Sequence, residues 1–252
     1  MHVTAVRTPV VRANEDLFAI LDEALPKLEE RSVVVVSSKI VALCEGRVVP
    51  LDEEEKSRIV EQEAQWFIPA SSSKYGVTLT ITRDQMFANA GVDESNAENQ
   101  FVLWPKDPQE SANGLWEFLR QRDGLKEVGV IISDSRLLPL VWGVLGAGIA
   151  HAGFKALSSK IGKPDIFGRP LKMTQVNVVQ GVAVAAVFEM GESNEQTPLA
   201  VVTEIRDIEF QNRPPSQEEL EGLKIDREDD MYASILMAAP WQKGGGGYER
   251  SH

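Results

Sequence analysis

The chain is poor in cysteine and histidine. Its 252 residues include one cysteine, Cys44, and three histidines. A single cysteine excludes an internal disulfide framework, and with no histidine near it in sequence Cys44 is better explained as a small buried residue than as a nucleophile. His151 is the only histidine away from the two ends. A lone histidine supports neither a zinc site nor a Ser-His-Asp triad, so we expect a packed or surface residue.

Long apolar runs and positive charge are also scarce. The longest apolar runs, such as 33–36 and 182–188, fall well short of the ~20 residues of a membrane span. The first residues lack the apolar stretch of a signal peptide. The 26 Lys and Arg residues face 38 Asp and Glu residues, for a formal net charge of -12, whereas nucleic-acid binding favours a positive surface. We therefore expect a cytoplasmic protein with no membrane or nucleic-acid partner, in which metal ions can still link carboxylates to a nucleotide.

The polar and apolar pattern predicts helices and strands that are interspersed without a strict β–α–β rhythm. This order predicts an α+β fold, with mixed sheets and packed helices, over residues 1–211. Residues 212–252, rich in Pro, Glu and Asp, are predicted to form a partly flexible C-terminal extension that includes Gly244–Gly247. The predicted strands are 3–11, 32–38, 77–82, 127–133, 176–179 and 199–205, and the predicted helices are one capped by Asn14 and those at 52–67, 108–122 and 182–190.

Acidic and hydroxyl side chains follow several predicted elements. Asp93 lies in a polar turn, Asp134 and Ser135 follow the apolar strand 127–133, and Glu192 follows the helix 182–190. Ligands of open α/β-type sheets often collect at the carboxyl ends of strands. Oxygen ligands from Asp, Ser and Glu suit Mg²⁺ or Mn²⁺, which in turn bind phosphates. Taken one at a time, each residue is equally typical of a turn or a helix cap.

The glycine-rich segment 143–153 lacks a phosphate-binding motif. It contains Gly146-Ala147-Gly148, but neither G-x-G-x-x-G nor G-x-x-x-x-G-K-[ST]. We expect close helix packing or a kink there. Lys39 and Arg47, which follow the strand 32–38, are candidates for contact with an anion, with surface solvation as the alternative.

Five short stretches occur in an order that is specific to one enzyme family. They are VVVVSSKIVALCEGR at 33–47, NAGVDESN at 89–96, VIISDS at 130–135, DIFGRPL at 165–171 and MGESNEQTP at 190–198. Over about residues 3–210 the chain resembles the coenzyme F420-0:γ-glutamyl ligase family. The resemblance implies a fold of two intertwined halves, a homodimer, and amide-bond formation through an acyl phosphate. It also implies two Mg²⁺ or Mn²⁺ ions, GTP or ATP as co-substrate, L-glutamate, and a glutamyl-bearing acceptor.

The resemblance also implies roles for individual residues. Asp93 and Asp134 would hold one metal ion, Ser135 and Glu192 would hold the second, and the three acids would be the catalytic residues. Asn96 would contact the nucleotide. Further nucleotide contacts are implied at residues that match the family's nucleotide-binding segments, namely Thr8, Pro9, Val10, Val11, Ser38, Lys39, Met190, Gly191, Ser193 and Asn194.

Departures from the family pattern bear on the acceptor. Leu138 and Val141 stand where the family usually carries arginines, and Leu43 stands where a lysine is usual. The deazaflavin acceptor of the family carries a phosphodiester and a carboxylate, which favour such cations. The apolar replacements therefore predict a folate-type pterin acceptor. The alternatives are the same ligation on the deazaflavin precursor coenzyme F420-0 with GTP, and a non-catalytic nucleotide-binding protein.

Overall fold

The computed structural model describes residues 1–52 and 54–247. Within them, several mixed sheets and packed helices confirm the predicted α+β class. The strands are β1 (His2–Val6), β2 (Ser32–Ser37), β3 (Val48–Pro50), β4 (Trp66–Ile68), β5 (Leu79–Thr82), β6 (Gln85–Ala88), β7 (Gln100–Val102), β8 (Val128–Leu137), β9 (Val144–Ala152), β10 (Leu157–Ser159), β11 (Gln175–Asn177), β12 (Leu199–Thr203) and β13 (Gln242–Lys243). The helices are α1 (Leu17–Ala24), α2 (Ser38–Cys44), α3 (Lys56–Glu63), α4 (Pro108–Asp123), α5 (Val178–Met190), α6 (Gln217–Glu221) and α7 (Ala233–Leu236).

The core is built on a five-stranded sheet in the order β1–β12–β2–β8–β9. Strand β2 is parallel to β8, and the other pairs are antiparallel. The four valines of β2, Val33–Val36, are fully buried because both faces of the sheet are covered. Val34 and Val36 pack in the cluster that contains residues of α1 and α4, whereas Val33 and Val35 pack in the cluster that contains residues of α5. The continuous apolar run of β2 is therefore explained by burial on two sides.

The glycine-rich segment forms strand β9, and its glycines let helix α5 approach closely. A Cβ atom on Gly146 would lie 2.5 Å from the carbonyl oxygen of Ala183. A Cβ atom on Gly148 would lie 2.4 Å from Cγ1 of Val179. Both distances are too short for any side chain larger than hydrogen, so the expectation of close helix packing is confirmed. The segment forms a strand whose pairing with β8 is irregular at Ile149, because Ile132 pairs with Ala150 and Ser133 pairs with Gly148.

The smaller sheets include a strand, β4, where the end of a helix was predicted. The order β13–β4–β5–β6 forms one of these sheets, β3 pairs with β7, and β10 pairs with β11. The helix predicted over 52–67 covers only Lys56–Glu63, and Trp66–Ile68 forms β4 instead. Phe67 is buried, and its strand pairs with β5. Tertiary pairing of an apolar triplet has overridden the local helical pattern here.

Other boundaries also differ from prediction. Helix α1 is capped by Asp16, whose carboxylate accepts from the amides of Phe18 and Ala19, and not by Asn14, which has a φ of 65°. Strand β1 ends at Val6, helix α2 was not predicted, and helix α5 begins at Val178 in place of the predicted strand end. Helix α4 matches its predicted range within one residue. None of the helices in the described ranges is long and apolar enough to cross a membrane.

The C-terminal extension docks on the end of α3. The amides of Gly244, Gly245, Gly246 and Gly247 donate to carbonyl oxygens of residues 61–65 over 2.8–3.0 Å. These carbonyls lie at a helix C-terminus, where backbone acceptors lack partners within the helix. The rest of the predicted flexible end, beyond Gly247, lies outside the described residues. The predicted domain boundary at 211/212 stays a prediction.

Candidate active site

A cavity of about 840 Å³, here called the first cavity, lies at one edge of the central sheet. Strands β1, β2 and β8 run in the same direction, so their carboxyl ends point toward this edge. The segment between α5 and β12 closes the opposite side. The predicted site residues that line it are Thr8, Pro9, Val10, Val11, Lys39, Asp93, Asn96, Asp134, Ser135, Met190, Gly191, Glu192, Ser193 and Asn194.

Ser38 is the predicted site residue that does not line the first cavity. It lies in the first turn of α2, and its side chain is buried in the protein. Its neighbour Ser37, at the end of β2, lines the cavity instead. The strand gives way at this point to helix α2, which was not predicted, and the role of Ser38 stays a prediction.

Lys39 joins helix α2 to the Asp93 loop. Its Nζ lies 2.6 Å from Oδ2 of Asp93 and also donates to the carbonyl and hydroxyl oxygens of Ser95. The amide and hydroxyl of Ser95 donate back to the two Asp93 oxygens. Burial would raise the pKa of Asp93, but the attraction of Lys39 and these hydrogen bonds together lower it. Asp93 is therefore a carboxylate at neutral pH.

Asp134 lies in a drier environment than Asp93. It belongs to β8, beyond an irregularity in the pairing with β9 between Ile132 and Ser133. Its Oδ2 accepts from the indole Nε1 of Trp104 at 2.5 Å, and its Oδ1 accepts from the amide of Ser135. Burial raises the pKa of Asp134 to about 6, although both hydrogen bonds oppose the shift. The acid site was predicted from the strand end, but the strand continues through it.

Trp104 is a site residue that sequence reasoning missed. Its indole is buried and packs edge-on against Phe87, with ring centroids 4.7 Å apart. Gly91 lies directly against it: a Cβ atom there would be 2.0 Å from Nε1 of Trp104, and the backbone has a φ of 73°. Gly91 is thus required for both conformation and close approach. No local signal links Trp104 to Asp134, because the two residues meet only through tertiary packing.

Glu192 completes the group of acids. Desolvation raises its pKa, the negative charges of Asp93 and Glu195 add to the shift, and the charge of Lys39 opposes it. Lys39 also lowers the pKa of Asp93 and opposes the rise for Asp134. One ammonium group therefore offsets the charge of all three predicted acids, and such a cluster of shifted pKa values in a cavity marks a candidate functional site.

The segment 190–198 is held against the other walls of the first cavity. The side-chain amide of Asn96 donates to the carbonyl oxygen of Ser193 at 2.8 Å. The amide of Thr8 donates to the carbonyl oxygen of Gln196 at 3.1 Å. These bonds link three predicted nucleotide-contacting segments, which are far apart in sequence, around one space.

The predicted acids carry oxygen atoms that suit divalent metal ions. In residues 1–52 and 54–247, no three His, Cys, Asp or Glu side chains are arranged to hold a metal ion together. The predicted pairs, Asp93 with Asp134 and Ser135 with Glu192, supply two protein groups each. Their hard oxygen atoms fit Mg²⁺ or Mn²⁺, which commonly complete their coordination with water and phosphate oxygens. The donor chemistry thus fits the implied metals.

Cys44 and His151 do not take part in this site. Desolvation, with the nearby charges of Glu15, Asp16 and Glu45, raises the pKa of the half-buried Cys44 to about 11. The thiol is therefore protonated, as expected for a cysteine that is not a nucleophile. His151 is 3% exposed and packs edge-on against Phe154, so it is a packed histidine.

Comparison with known proteins decides the family. The model of the F420-0:gamma-glutamyl ligase family matches residues 5–204. The chain belongs to this family. The coenzyme F420:L-glutamate ligase of Methanopyrus kandleri is 34% identical over 233 residues, which cover 84% of this chain and 86% of the relative. Proteins with the same name in Methanococcus maripaludis and Methanocaldococcus jannaschii are 32% and 29% identical, each over 80% of this chain and 87% of the relative.

Family membership confirms the resemblance inferred from the five stretches. It also confirms the predicted enzyme class, a ligase that forms amide bonds. The residue roles carried over by the resemblance remain predictions. The structure nevertheless places the predicted acids and most predicted nucleotide-contacting residues around one cavity.

Proposed function

We propose that the protein is a nucleotide- and metal-dependent γ-glutamyl ligase that joins L-glutamate to the deazaflavin acceptor coenzyme F420-0. The observation that carries this proposal is the first cavity, in which Lys39 offsets the charges of Asp93, Asp134 and Glu192. The names of the relatives favour the deazaflavin acceptor over the folate type predicted from the missing arginines. A cytoplasmic location is part of the proposal, because the reaction consumes GTP or ATP.

The chemistry requires an activated carboxylate. Transfer of the γ-phosphoryl group to the acceptor carboxylate forms an acyl phosphate and a nucleoside diphosphate. The amine of L-glutamate then attacks the acyl carbon, phosphate leaves, and the amine loses a proton. Divalent ions, when bound, would neutralise the negative charge of the phosphate oxygens. No protein nucleophile is needed, which agrees with the protonated state of Cys44.

Each wall of the first cavity has a part in this proposal. The nucleotide binds along residues 8–11, Asn96 and residues 190–194. Asp93 and Asp134 hold one metal ion, and Ser135 and Glu192 hold the other. The ammonium of Lys39 binds phosphate oxygens as a compact point charge, in exchange for part of its contact with Asp93. Positioning and electrostatic stabilisation supply most of the rate enhancement in such a site.

A folate-type pterin acceptor is the second candidate. The observation that favours it is the replacement of usual family arginines by Leu138 and Val141. Neither of these residues lines the first cavity. Their replacement therefore bears on the acceptor and not on the nucleotide or metal positions. A non-catalytic nucleotide-binding protein is the least supported alternative, because all the predicted acids remain and meet at one place.

The test is a ligation assay on the purified protein. Each reaction contains GTP or ATP, Mg²⁺ or Mn²⁺, L-glutamate, and either coenzyme F420-0 or tetrahydrofolate, and mass spectrometry measures products that are one glutamate heavier. We expect product from coenzyme F420-0. Product from tetrahydrofolate alone would select the second candidate. Nucleotide binding without any product would leave the non-catalytic alternative, and neither binding nor product would refute all three.

A homodimer is also part of the proposal. The hairpin between β8 and β9 and the segment 161–176 carry large apolar side chains on the surface, including Leu140, Trp142 and Phe167. Large exposed apolar side chains in such numbers are typical of protein–protein contact surfaces. Sedimentation equilibrium should give twice the chain mass. A purely monomeric protein at micromolar concentration would contradict this part.

A further inference from the structure

A second cavity of about 730 Å³ lies next to the first. Its walls come from the β5–β6 turn, the start of α4, the end of β8, the middle of β9, the start of α5 and the C-terminal extension. The two cavities adjoin at Trp104, whose indole lines the second cavity and donates to Asp134, which lines the first. They also adjoin along β8, where Ser135 lines the first cavity and Arg136 the second. A ligand in one can therefore reach a group in the other.

Arg136 is the unusual side chain of the second cavity. Its Nε is buried and has no hydrogen-bond partner among the residues that the structure describes. Burial alone accounts for the lowering of the Arg136 pKa, and no acidic side chain offsets it. Arg136 is half-buried, so its unpaired Nε is poorly solvated, and a guanidinium is well shaped for bidentate pairing with a carboxylate or a phosphate. The arrangement points to an anionic ligand.

Two glutamine side chains of the second cavity already have protein partners. Gln65 exchanges two hydrogen bonds with Asp84, one to its amide and one to its carboxylate. Gln180 exchanges two with the backbone of Gly148 in β9. These groups shape the wall, and their bonding makes the unpaired Nε of Arg136 stand out as a position that recognises charge.

The C-terminal extension supplies one wall of the second cavity. Leu220, Leu223 and Ile225 line it, as do Gly246 and Gly247. All five residues lie beyond residue 204, where the match to the family model ends. This wall is therefore built by a segment that the family match does not include, and it gives the extension a place in ligand binding.

We propose that the second cavity binds the body of the acceptor, with Arg136 paired to an anionic group close to the carboxylate that is ligated. This inference rests on the proposed function. The cavity volume lies in the range of about 300–1,000 Å³ that is usual for cofactor-sized ligands and exceeds what a single amino acid needs. The apolar surfaces of Trp104, Leu138 and Ile149 suit the face of a ring system.

The same cation suits either acceptor chemistry. A deazaflavin acceptor would present its phosphodiester, and a pterin acceptor would present the α-carboxylate of its terminal glutamate. Arg136 lies two residues before Leu138, on the same chain segment from which the usual arginines are missing. It thus supplies positive charge where the sequence comparison had suggested a deficit.

The test is equilibrium binding of coenzyme F420-0 and of tetrahydrofolate to the full chain and its variants. Ligand fluorescence or calorimetry measures the Kd. Arg136→Gln should weaken binding of the true acceptor at least about tenfold, whereas Arg136→Lys should retain part of the affinity because the charge remains. The Kd for the nucleotide should not change. Arg58→Gln, on the exposed surface of α3 and outside both cavities, is the matched control and should bind like the wild type.

A second pair of variants tests the wall formed by the extension. Ile225 lines the cavity and is 62% exposed, and Ile235 is 67% exposed and lies outside it. Ile225→Asp should weaken acceptor binding through repulsion of the anion, and Ile235→Asp should not. Because neither side chain is buried, folding is preserved in both.

The outcomes separate this inference from the proposed function. Acceptor binding that depends on Arg136, without any ligation, would support the cavity assignment and refute the ligase proposal. Normal ligation with unchanged acceptor Kd and KM in Arg136→Gln would refute the cavity assignment alone. A wild-type protein that binds neither acceptor would also refute it. A loss confined to coenzyme F420-0 or to tetrahydrofolate would identify which anion Arg136 recognises.

Discussion

The ammonium of Lys39 lies 2.6 Å from Oδ2 of Asp93, across 54 positions of the chain. This pair joins the start of α2 to the loop that follows the β5–β6 hairpin, and it places a positive charge beside three acids. An ammonium group in that position offsets the charge of the acids, and it is available to an incoming phosphate. The pair therefore links the packing of the site to its proposed chemistry.

Replacement of Lys39 should impair nucleotide binding and turnover together. In Lys39→Met the three acids lose their shared counter-charge, and phosphate oxygens lose a direct contact. We expect a fall in kcat/KM of about 100-fold or more, as for removal of other preorganised charge-stabilising groups. Lys39→Arg should recover part of the nucleotide affinity. Calorimetric titration with GTP and initial-rate measurements check both, and wild-type kinetics in Lys39→Met would contradict the role.

The predicted acids should each be needed for turnover. Asp93→Ala, Asp134→Ala and Glu192→Ala remove oxygen ligands proposed for the divalent ions, so ligation should fall below detection or require far more Mg²⁺. Glu23→Gln, on the exposed side of α1, is the control. Metal-dependence curves and circular dichroism separate loss of the ligand from loss of folding. Full activity in all three folded variants would show that the metal assignment is wrong.

Gly91 should tolerate alanine less well than Gly76. Both have a φ near 70°, but a Cβ atom on Gly91 would overlap Trp104, whereas a Cβ atom on Gly76 meets nothing within 4 Å. Gly76→Ala should therefore cost only the conformational term of about 1 kcal/mol. Gly91→Ala should cost about 2 kcal/mol more in the free energy of unfolding, because the indole must move. Urea denaturation measures both, and equal losses would contradict the packing argument.

The stability of the protein should fall in acid because His151 is buried. Burial lowers the pKa of His151 from 6.5 to about 4, with a small opposing contribution from Glu219. Between these values the unfolded chain binds a proton and the folded chain does not, so stability rises with pH. The contribution is complete above about pH 6.5 and is lost as the pH falls to about 4, a difference of about 3 kcal/mol.

The His151→Gln variant isolates this effect. It removes the titrating group, so the difference in unfolding free energy between variant and wild type should change with pH between about 4 and 6.5 and stay constant above about pH 7. Chemical denaturation at a series of pH values provides the measurement. A difference that is independent of pH throughout would show that His151 does not titrate as the structure implies.

Local pattern was sufficient for several elements of the fold, although it missed strand β9. The apolar run 33–36 identified β2, and the amphipathic pattern with Pro108 near its start identified α4. Such elements are predictable because burial periodicity and capping act over neighbouring residues. Strand β4 was not predictable in this way: Trp66–Ile68 pairs with β5 on one side and β13 on the other, and both partners are distant in the chain.

The sequence by itself determined the enzyme family and selected the candidate acids, since both depend on residue types at ordered positions along the chain. Tertiary structure decided which groups meet. It placed Trp104 against Asp134 and Lys39 against Asp93, put Ser37 at the wall of the first cavity, and brought the C-terminal extension and Arg136 together to form the second cavity. Contacts of this kind depend on packing between segments that are distant in the chain, and no local pattern encodes them.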